Sequence, residues 1–223
     1  MLVRDRMTPD PITATPDTSV KEALDLLRSH PFRHLPIVDE EGRLVGITTE
    51  KSLVYASPAS DVSLSVFEVN YLLSRMKVEQ VMARDVITVH PDLPLEEAAR
   101  LMIDHQIGCL PVVERGRLVG IISDTDLFRV FVEGLGGGHP ALRITISVPE
   151  QVGVLARIAG RIAAMGGNIY SLGTFWGERP EDRILALRVE GVDRETLLAA
   201  LKEEGVQIRH VWEPPKGSSA EEE

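Results

Sequence analysis

A chain of 223 residues holds one large domain or two modest ones, and 43% hydrophobic residues with 4% aromatics predict aliphatic globular cores. The net charge of −10 argues against a general nucleic-acid binder, which needs a basic face, but leaves room for a local basic pocket. One cysteine, Cys109, excludes an internal disulfide; the charged start Met1-Leu-Val-Arg-Asp-Arg6 and the lack of a long apolar run lead us to expect a soluble, cytoplasmic, reduced protein.

Ile12-Thr13-Ala14 reads as a short strand ended by Pro16. Val20, Ala23, Leu24 and Leu27 fall at i, i+3, i+4 and i+7, an amphipathic helix, and Ser19 with Glu22 forms its capping box. Leu35-Pro-Ile-Val38 and Leu44–Thr48 are strands of a hairpin turning at Asp39–Gly42, and a second helix starts near Thr49. Residues 56–62 are turn-rich. A helix over 64–76 follows, with Leu64, Phe67, Tyr71 and Leu72 as expected core contacts.

The pattern then starts again. A shift of 75 lays Met7 on Met82, Ile12-Thr13 on Ile87-Thr88, Glu22-Ala23 on Glu97-Ala98 and Leu35-Pro36 on Leu110-Pro111. After one deletion in a turn, a shift of 74 lays Gly42–Ile47 on Gly116–Ile121. Two copies of one unit predict a pseudo-symmetric pair around a cleft. In copy two, Val86–Val89 is the short strand, Asp92 with Pro94 opens the first helix, and the second starts near Ser123.

Gly134-Leu-Gly-Gly-Gly-His-Pro140 reads as a flexible linker. Beyond it Leu142, Ile144, Ile146 and Val148 alternate with polar residues, a half-buried strand. Leu155, Ile158, Ala159 and Ile162 mark a helix stopped by Gly166-Gly167. Strands over Asn168–Phe175 and Ile184–Val189, a helix capped by Asp193 and carrying Leu197, Ala200 and Leu201, and a last strand through Val206, Ile208, Val211 and Trp212 complete a βαββαβ order. The expected boundaries are 1–55 for copy one, 56–77 for a linking helix, 78–133 for copy two, 134–141 for the linker, 142–213 for the last domain and 214–223 for a disordered acidic tail.

Gly120-Ile-Ile-Ser123-Asp124-Thr-Asp126 sits where a buried strand becomes a helix. A glycine lets a ligand approach the backbone, helix N–H groups favour an anion, and an ionised carboxylate at Asp126 accepts both hydroxyls of a ribose. The same residues also make an ordinary helix cap. Copy one has Thr49 and Ser52 at the matching places, and serine is a poorer ribose holder than aspartate. Arg33 and His34 precede Leu35-Pro36 and serve either a solvated turn or the cleft. His30 and His34, and His105 and Cys109, are poor metal pairs because Pro31 and Gly108 interrupt them, so no metal is expected.

The two copies resemble CBS domains. The match rests on Ile-Thr-x-x-Pro (Ile12, Thr13, Pro16; Ile87, Thr88, Pro91), on Leu-Pro and Leu-Val-Gly-Ile in both copies, and on the closing Gly-x-x-Ser-x-x-Asp of copy two. The resemblance implies an α+β pair of βαββα repeats whose cleft binds AMP, ADP, ATP or S-adenosylmethionine. It assigns Thr88, Cys109, Ser123 and Asp126 to one good site, served by copy two, and leaves a weak or vacant site in copy one, where Ser52 stands in place of Asp126. Thr13, Thr49 and Asp124 are expected in the same cleft, and Arg33 and His34 are expected to reach it and meet phosphates. Pro149–Leu155 followed by Gly166-Gly-Asn168-Ile169 resembles an ACT domain with a partial loop motif. That implies a ferredoxin-like fold and an amino-acid site at Gly153 and Asn168. The whole order resembles acetoin-utilisation-type CBS–ACT proteins, which implies a non-catalytic regulator linked to acetoin or carbon metabolism, working as a homodimer on a protein target. An interaction scaffold with a vestigial cleft and an enzyme are the alternatives.

Overall fold

The computed structural model describes residues 1–56 and 65–214. The turn-rich stretch from residue 57, Leu64 and the tail from residue 215 lie outside the described residues. The chain divides into two compact units, Met1–Leu127 and Phe128–Glu223.

In the first unit, copy one contributes α1 (Val20–Ser29), β2 (His34–Val38), β3 (Leu44–Thr49) and α2 (Glu50–Tyr55). Copy two contributes α4 (Leu95–His105), β4 (Cys109–Glu114), β5 (Arg117–Ser123) and the start of α5 (Asp124–Gly134), with α3 (Val66–Arg75) between the copies. β2–β3 and β4–β5 are antiparallel hairpins of equal register, pairing His34 with Thr49 and Cys109 with Ser123. Ser19 caps α1 through the expected box with Glu22. Val20, Ala23, Leu24, Leu27, Leu35 and Ile37 form the copy-one core, and copy two buries Ala98, Met102, Leu110 and Val112 at matching places.

Each copy is closed by the other copy's leading segment. β1 (Thr8–Pro9) pairs with Ile121 and Gly120 of β5, while Ala83 bridges Ile47 of β3. Likewise Leu2 bridges Pro94 and Lys77 bridges Ser19. This exchange explains Gly120, which does not open the backbone to a ligand: a Cβ there would lie 2.5 Å from Met7 Sδ and 3.1 Å from the Thr8 carbonyl. Gly46 meets Met82 and Ala83 in the same way.

Other expectations for this unit need correction. The strands expected at Ile12–Ala14 and Val86–Val89 shrink to single parallel bridges, Ala14 to Ile37 and Val89 to Val112, because Pro16 and Pro91 turn the chain at once. Asp92 does not cap α4. Pro94 is its N-cap residue, without a side-chain bond, and Asp92 pairs with Arg4 and His90. Phe67 and Tyr71 are 87% and 64% exposed and Leu72 is exposed as well; α3 buries Leu73 instead, on a face rotated from the one expected.

The second unit contains β6 (Leu142–Pro149), α6 (Val154–Ala164), β7 (Asn168–Trp176), β8 (Asp182–Glu190), α7 (Arg194–Glu203) and β9 (Gln207–Trp212). Its antiparallel sheet has the order β7-β8-β6-β9, the ferredoxin-like arrangement. Ile144, Ile146 and Val148 of β6, Leu185, Leu187 and Val189 of β8, Ile158 and Ile162 of α6, and Leu197 and Leu201 of α7 make one core. Asp193 caps α7 as expected. α6 turns Val154 inward and leaves Leu155 42% exposed, one position off the expected stripe. The glycine-rich segment is a run of hydrogen-bonded turns, not a free tether: Gly136 donates to the Glu133 carbonyl, Gly137 to Val132 and His139 to Gly136.

Candidate functional site

Between the two copies lies a cavity of about 650 Å³, lined by Leu27, His30, Pro31, Phe32, Arg33, His34, Thr49, Glu50 and Lys51 of copy one and by Gly108 and Asp124 of copy two. The residues arrive there for local reasons. α1 ends at Ser29, Pro31 turns the chain outward, and β2 begins at His34. β3 returns beside β2, bringing Thr49 opposite His34. From copy two, Gly108 leads into β4 and Asp124 opens α5, its N–H donating to the Gly108 carbonyl.

Gly108 is the counterpart of Arg33, and its missing side chain matters. A Cβ there would lie 3.3 Å from Asp124 Oδ2 and 3.8 Å from His34 Cε1. The glycine lets the copy-one imidazole and the copy-two carboxylate approach each other. Arg33 reaches the same corner, with one guanidinium nitrogen 3.9 Å from Asp124 Oδ1 and donating to Thr125 Oγ1 at 3.3 Å. Asp124 accepts from the Thr125 amide at 2.6 Å. Burial, and then the Arg33 charge, hold the His34 pKa below its usual value, with Asp124 pulling the other way. His34 therefore presents a neutral imidazole near pH 7. Glu50 is held by Arg28 at 2.8 Å, and Lys51 lies over the Tyr55 ring.

The remaining expected residues lie outside this lining. Ser123 and Asp126 are turned on one another: the Ser123 amide and hydroxyl donate to Asp126 Oδ2 at 2.9 and 2.6 Å, and the Asp126 amide donates back to Ser123 Oγ. Copy one repeats the box with Thr49 and Ser52. Cys109 is 5% exposed, and burial, with Asp124 adding to it, pushes its thiol up to about 12. It is a protonated core residue, so any ligand contact there falls to its backbone. Thr13 is half-buried and Thr88 exposed. This cavity is lined chiefly by copy-one residues, with Gly108 and Asp124 from copy two.

Thr48 was not singled out from the sequence. It is buried at the place of Ile122, and its hydroxyl lies 3.0 Å from Ser52 Oγ. A buried hydroxyl needs a partner, so Ser52 is tied to the copy-one fold as well as to its cap. The sequence signal is the polar residue directly after the matching Leu-Val-Gly-Ile, where copy two continues with Ile122.

In the second unit a smaller cavity of about 240 Å³ is lined by Val148, Pro149, Glu150, Gln151, Val154, Leu155, Thr174, Arg183 and Leu185. Glu150 pairs with Arg183, whose guanidinium stacks 3.5 Å from the centre of the Trp176 ring. Gly153, at φ +85°, is the N-cap residue of α6 beside this cavity. Asn168 is not beside it. It donates to Glu190 at 2.8 Å, at the other end of a helix of 11 residues, about 16 Å long. One chain therefore does not bring Gly153 and Asn168 together.

Among the described residues, no group of three or more His, Cys, Asp or Glu side chains is placed to hold a metal ion, and no helix is long and apolar enough to cross a membrane.

Comparison with known proteins agrees with this architecture. The CBS-domain model matches residues 3–59 and 78–133, and the TTHA0829-like ACT-domain model matches residues 137–212. L-aspartate semialdehyde sulfurtransferase of Methanocaldococcus jannaschii is 37% identical over 131 residues, 58% of this chain but only 23% of that protein. Among solved structures, a candidate acetoin utilization protein (AcuB) from Vibrio cholerae is 35% identical with TM-score 0.51, over 59% of this chain and 90% of that one. The CBS domain pair of protein MJ0100, solved with 5′-methylthioadenosine and S-adenosyl-L-methionine, is 36% identical with TM-score 0.50, over 59% of this chain and 95% of that one. With its two repeats matched in phase, the chain belongs to the CBS-domain family and carries a CBS pair followed by an ACT domain.

Proposed function

We propose that this chain is a non-catalytic sensor that takes an adenosyl compound, either an adenine nucleotide (AMP, ADP or ATP) or S-adenosylmethionine, between its CBS repeats. The observation that carries this reading is the cavity of about 650 Å³ at which Arg33, His34 and Thr49 of one repeat meet Asp124 of the other. Its volume falls in the roughly 300–1,000 Å³ range of small-molecule sites. Arg33 and Lys51 supply charge for a phosphate or carboxylate, and the Asp124 carboxylate accepts from ribose hydroxyls or an adenine amino group. Thr88, the Cys109 backbone, Ser123 and Asp126 belong to the copy-two half-site, where Asp126 accepts from the ribose hydroxyls once a ligand competes for Ser123, and Thr13 belongs to the shared cleft. The ligands of the MJ0100 pair support the adenosyl class. The likeness to the AcuB candidate supports a link to acetoin or carbon metabolism.

The output of such a sensor is a changed affinity for a regulated protein, limited by the ligand's differential affinity for the two states. We place it in the cytoplasm, as a homodimer. For the ACT domain, the smaller cavity favours a second ligand. The Glu150–Arg183 pair at the edge of an apolar wall complements the two charges of an amino acid, with Val154, Leu155 and Leu185 facing its side chain. Gly153 and Asn168 join in one site only across two chains, so that part of the reading requires the dimer.

Thermal unfolding of the full chain with each adenosyl compound tests the first reading, and the same assay with amino acids tests the second. A ligand at about 100 times its Kd adds about 2.7 kcal/mol of stability. A midpoint unmoved by every adenosyl compound at millimolar concentration removes the sensor reading and leaves the scaffold.

A further inference from the structure

The segment between α5 and β6 is fixed along its length. α5 closes in a Schellman turn: Gly136, at φ +66°, donates to the Glu133 carbonyl at 2.9 Å and Gly137 to the Val132 carbonyl at 2.7 Å. The next residues lie on the face of the ACT sheet opposite α6 and α7. Leu135 takes the space a side chain at Gly173 would need, its Cδ2 only 2.6 Å from where that Cβ would stand. Gly136 has no room for a side chain either, because a Cβ would lie 2.7 Å from Arg188 Cδ and 2.9 Å from Ser171 Oγ. The His139 ring stacks on Tyr170 with 3.5 Å between centres.

Arg188 of β8 is the centre of this arrangement. It is 8% exposed. Its Nε donates to the Leu135 carbonyl at 3.1 Å, and its Nη1 to the carbonyls of His139 at 2.8 Å and Ala141 at 3.5 Å. The Trp212 ring also lies near it, at 5.1 Å. Burial and the nearby Arg143 lower its pKa, yet a guanidinium stays charged in proteins. Among the described residues its hydrogen bonds all end on carbonyls of one segment, so it loses them together if that segment lifts, and a buried charge without partners is costly. The segment and the sheet therefore separate together or not at all.

We infer that residues 135–141 are a strap pinned by Arg188, and that this strap carries the state of the CBS cleft to the ACT sheet. The second half rests on the adenosyl reading. α5 begins at Asp124, which lines the cavity, and ends in the Schellman turn that runs directly into the strap. A shift of its first turn is handed on through one continuous hydrogen-bonded helix.

Hydrogen exchange of the full chain, read peptide by peptide, tests both halves. In Arg188→Met, amides of 135–141 exchange at least about tenfold faster, while β6 and β8 core peptides stay within about twofold of wild type. A strap already unprotected in wild type, or unaffected in the variant, overturns the pin. If Arg188→Met does not fold, Gly136→Ala disturbs the same contact from the strap side and gives the same expected result. The coupling is read by adding ATP, or separately S-adenosylmethionine, with binding heat measured on the same sample. The bound probe changes strap exchange at least about twofold in wild type, and Arg188→Met binds with the same heat but without that change. A bound probe with no change beyond residue 134 overturns the coupling and leaves the pin. No heat from either probe or from AMP and ADP overturns the adenosyl reading instead, and the coupling with it.

Discussion

Thr48 and Ile122 hold the same place in the two repeats, and the difference ties one helix cap, but not the other, to a buried hydroxyl. In copy one the buried Thr48 hydroxyl leans on Ser52, which also completes the box with Thr49. In copy two an aliphatic residue fills the place, and Asp126 makes the box with Ser123. Ser52→Ala removes both the cap and the partner of a buried hydroxyl, and we expect a loss of about 2 kcal/mol. In a Thr48→Val background the same change costs about 1 kcal/mol less, so a double-mutant cycle by urea unfolding returns a positive coupling. Strictly additive losses would place the Thr48 hydroxyl elsewhere. His34 supplies a second residue-scale prediction. The folded protein binds a proton at His34 more weakly than the unfolded chain does, because of burial and Arg33. Its contribution is therefore whole above the ordinary imidazole value near 6.5 and is lost as pH falls from there toward the depressed folded pKa. Arg33 on its own repeat opposes the proton and Asp124 favours it, with Lys51 and Glu50, of opposite charge, lining the same cavity. Wild type loses more stability than His34→Gln between pH 7.5 and 5.5 in the same urea assay; equal losses would show that His34 carries none of the pH dependence.

At the scale of elements, periodicity names a helix more surely than the face it buries. α3 was readable as a helix, but its apolar residues cover more than one stripe, and the structure turns Leu73 inward with Phe67 and Tyr71 outward. We expect Leu73→Ala to cost about 2–4 kcal/mol, and Phe67→Ala within about 0.5 kcal/mol. A costly Phe67→Ala, measured by chemical unfolding, would place that ring in an interface of the working protein. Caps written into neighbouring residues, such as Ser19 with Glu22 or Asp193 with Thr196, were legible because each closes within one turn. The cap expected at Asp92 failed because Arg4, far away in sequence, claims that carboxylate. The exchange of leading segments was equally hidden, since a repeat reveals that two units match and not which unit's strand lies beside which. Its trace was Gly46 and Gly120, whose hydrogens make room for Met82 and Met7. Gly120→Ala is expected to destabilise by about 1–2 kcal/mol, with a smaller cost when Met7 is also shortened to alanine. An unchanged cost in the double variant would assign the strain to the Thr8 carbonyl.

For the whole molecule, the sequence displayed two repeats and a βαββαβ domain, and the family matches follow the same order. The site was legible in part. Arg33, His34, Thr49 and Asp124 do converge, from two repeats, on one cavity. The sequence pattern ranked copy two first on the strength of one carboxylate, whereas cavity shape depends on Pro31, Phe32 and the absent side chain of Gly108. Such steric facts appear only when the copies face one another. The proposed function turns on an adenosyl ligand sitting in this cavity. Calorimetric titration of the full chain with AMP, ATP and S-adenosylmethionine, beside Gly108→Val, tests it most directly, because a branched side chain there fills the gap between His34 and Asp124 without touching the Ser123–Asp126 box. Saturable binding of at least one compound is expected in the wild type, weakened at least about tenfold in the variant. Equal affinity in both proteins, with Asp126→Ala abolishing it, would move the ligand to copy two, and the absence of heat with every compound would rule out an adenosyl ligand.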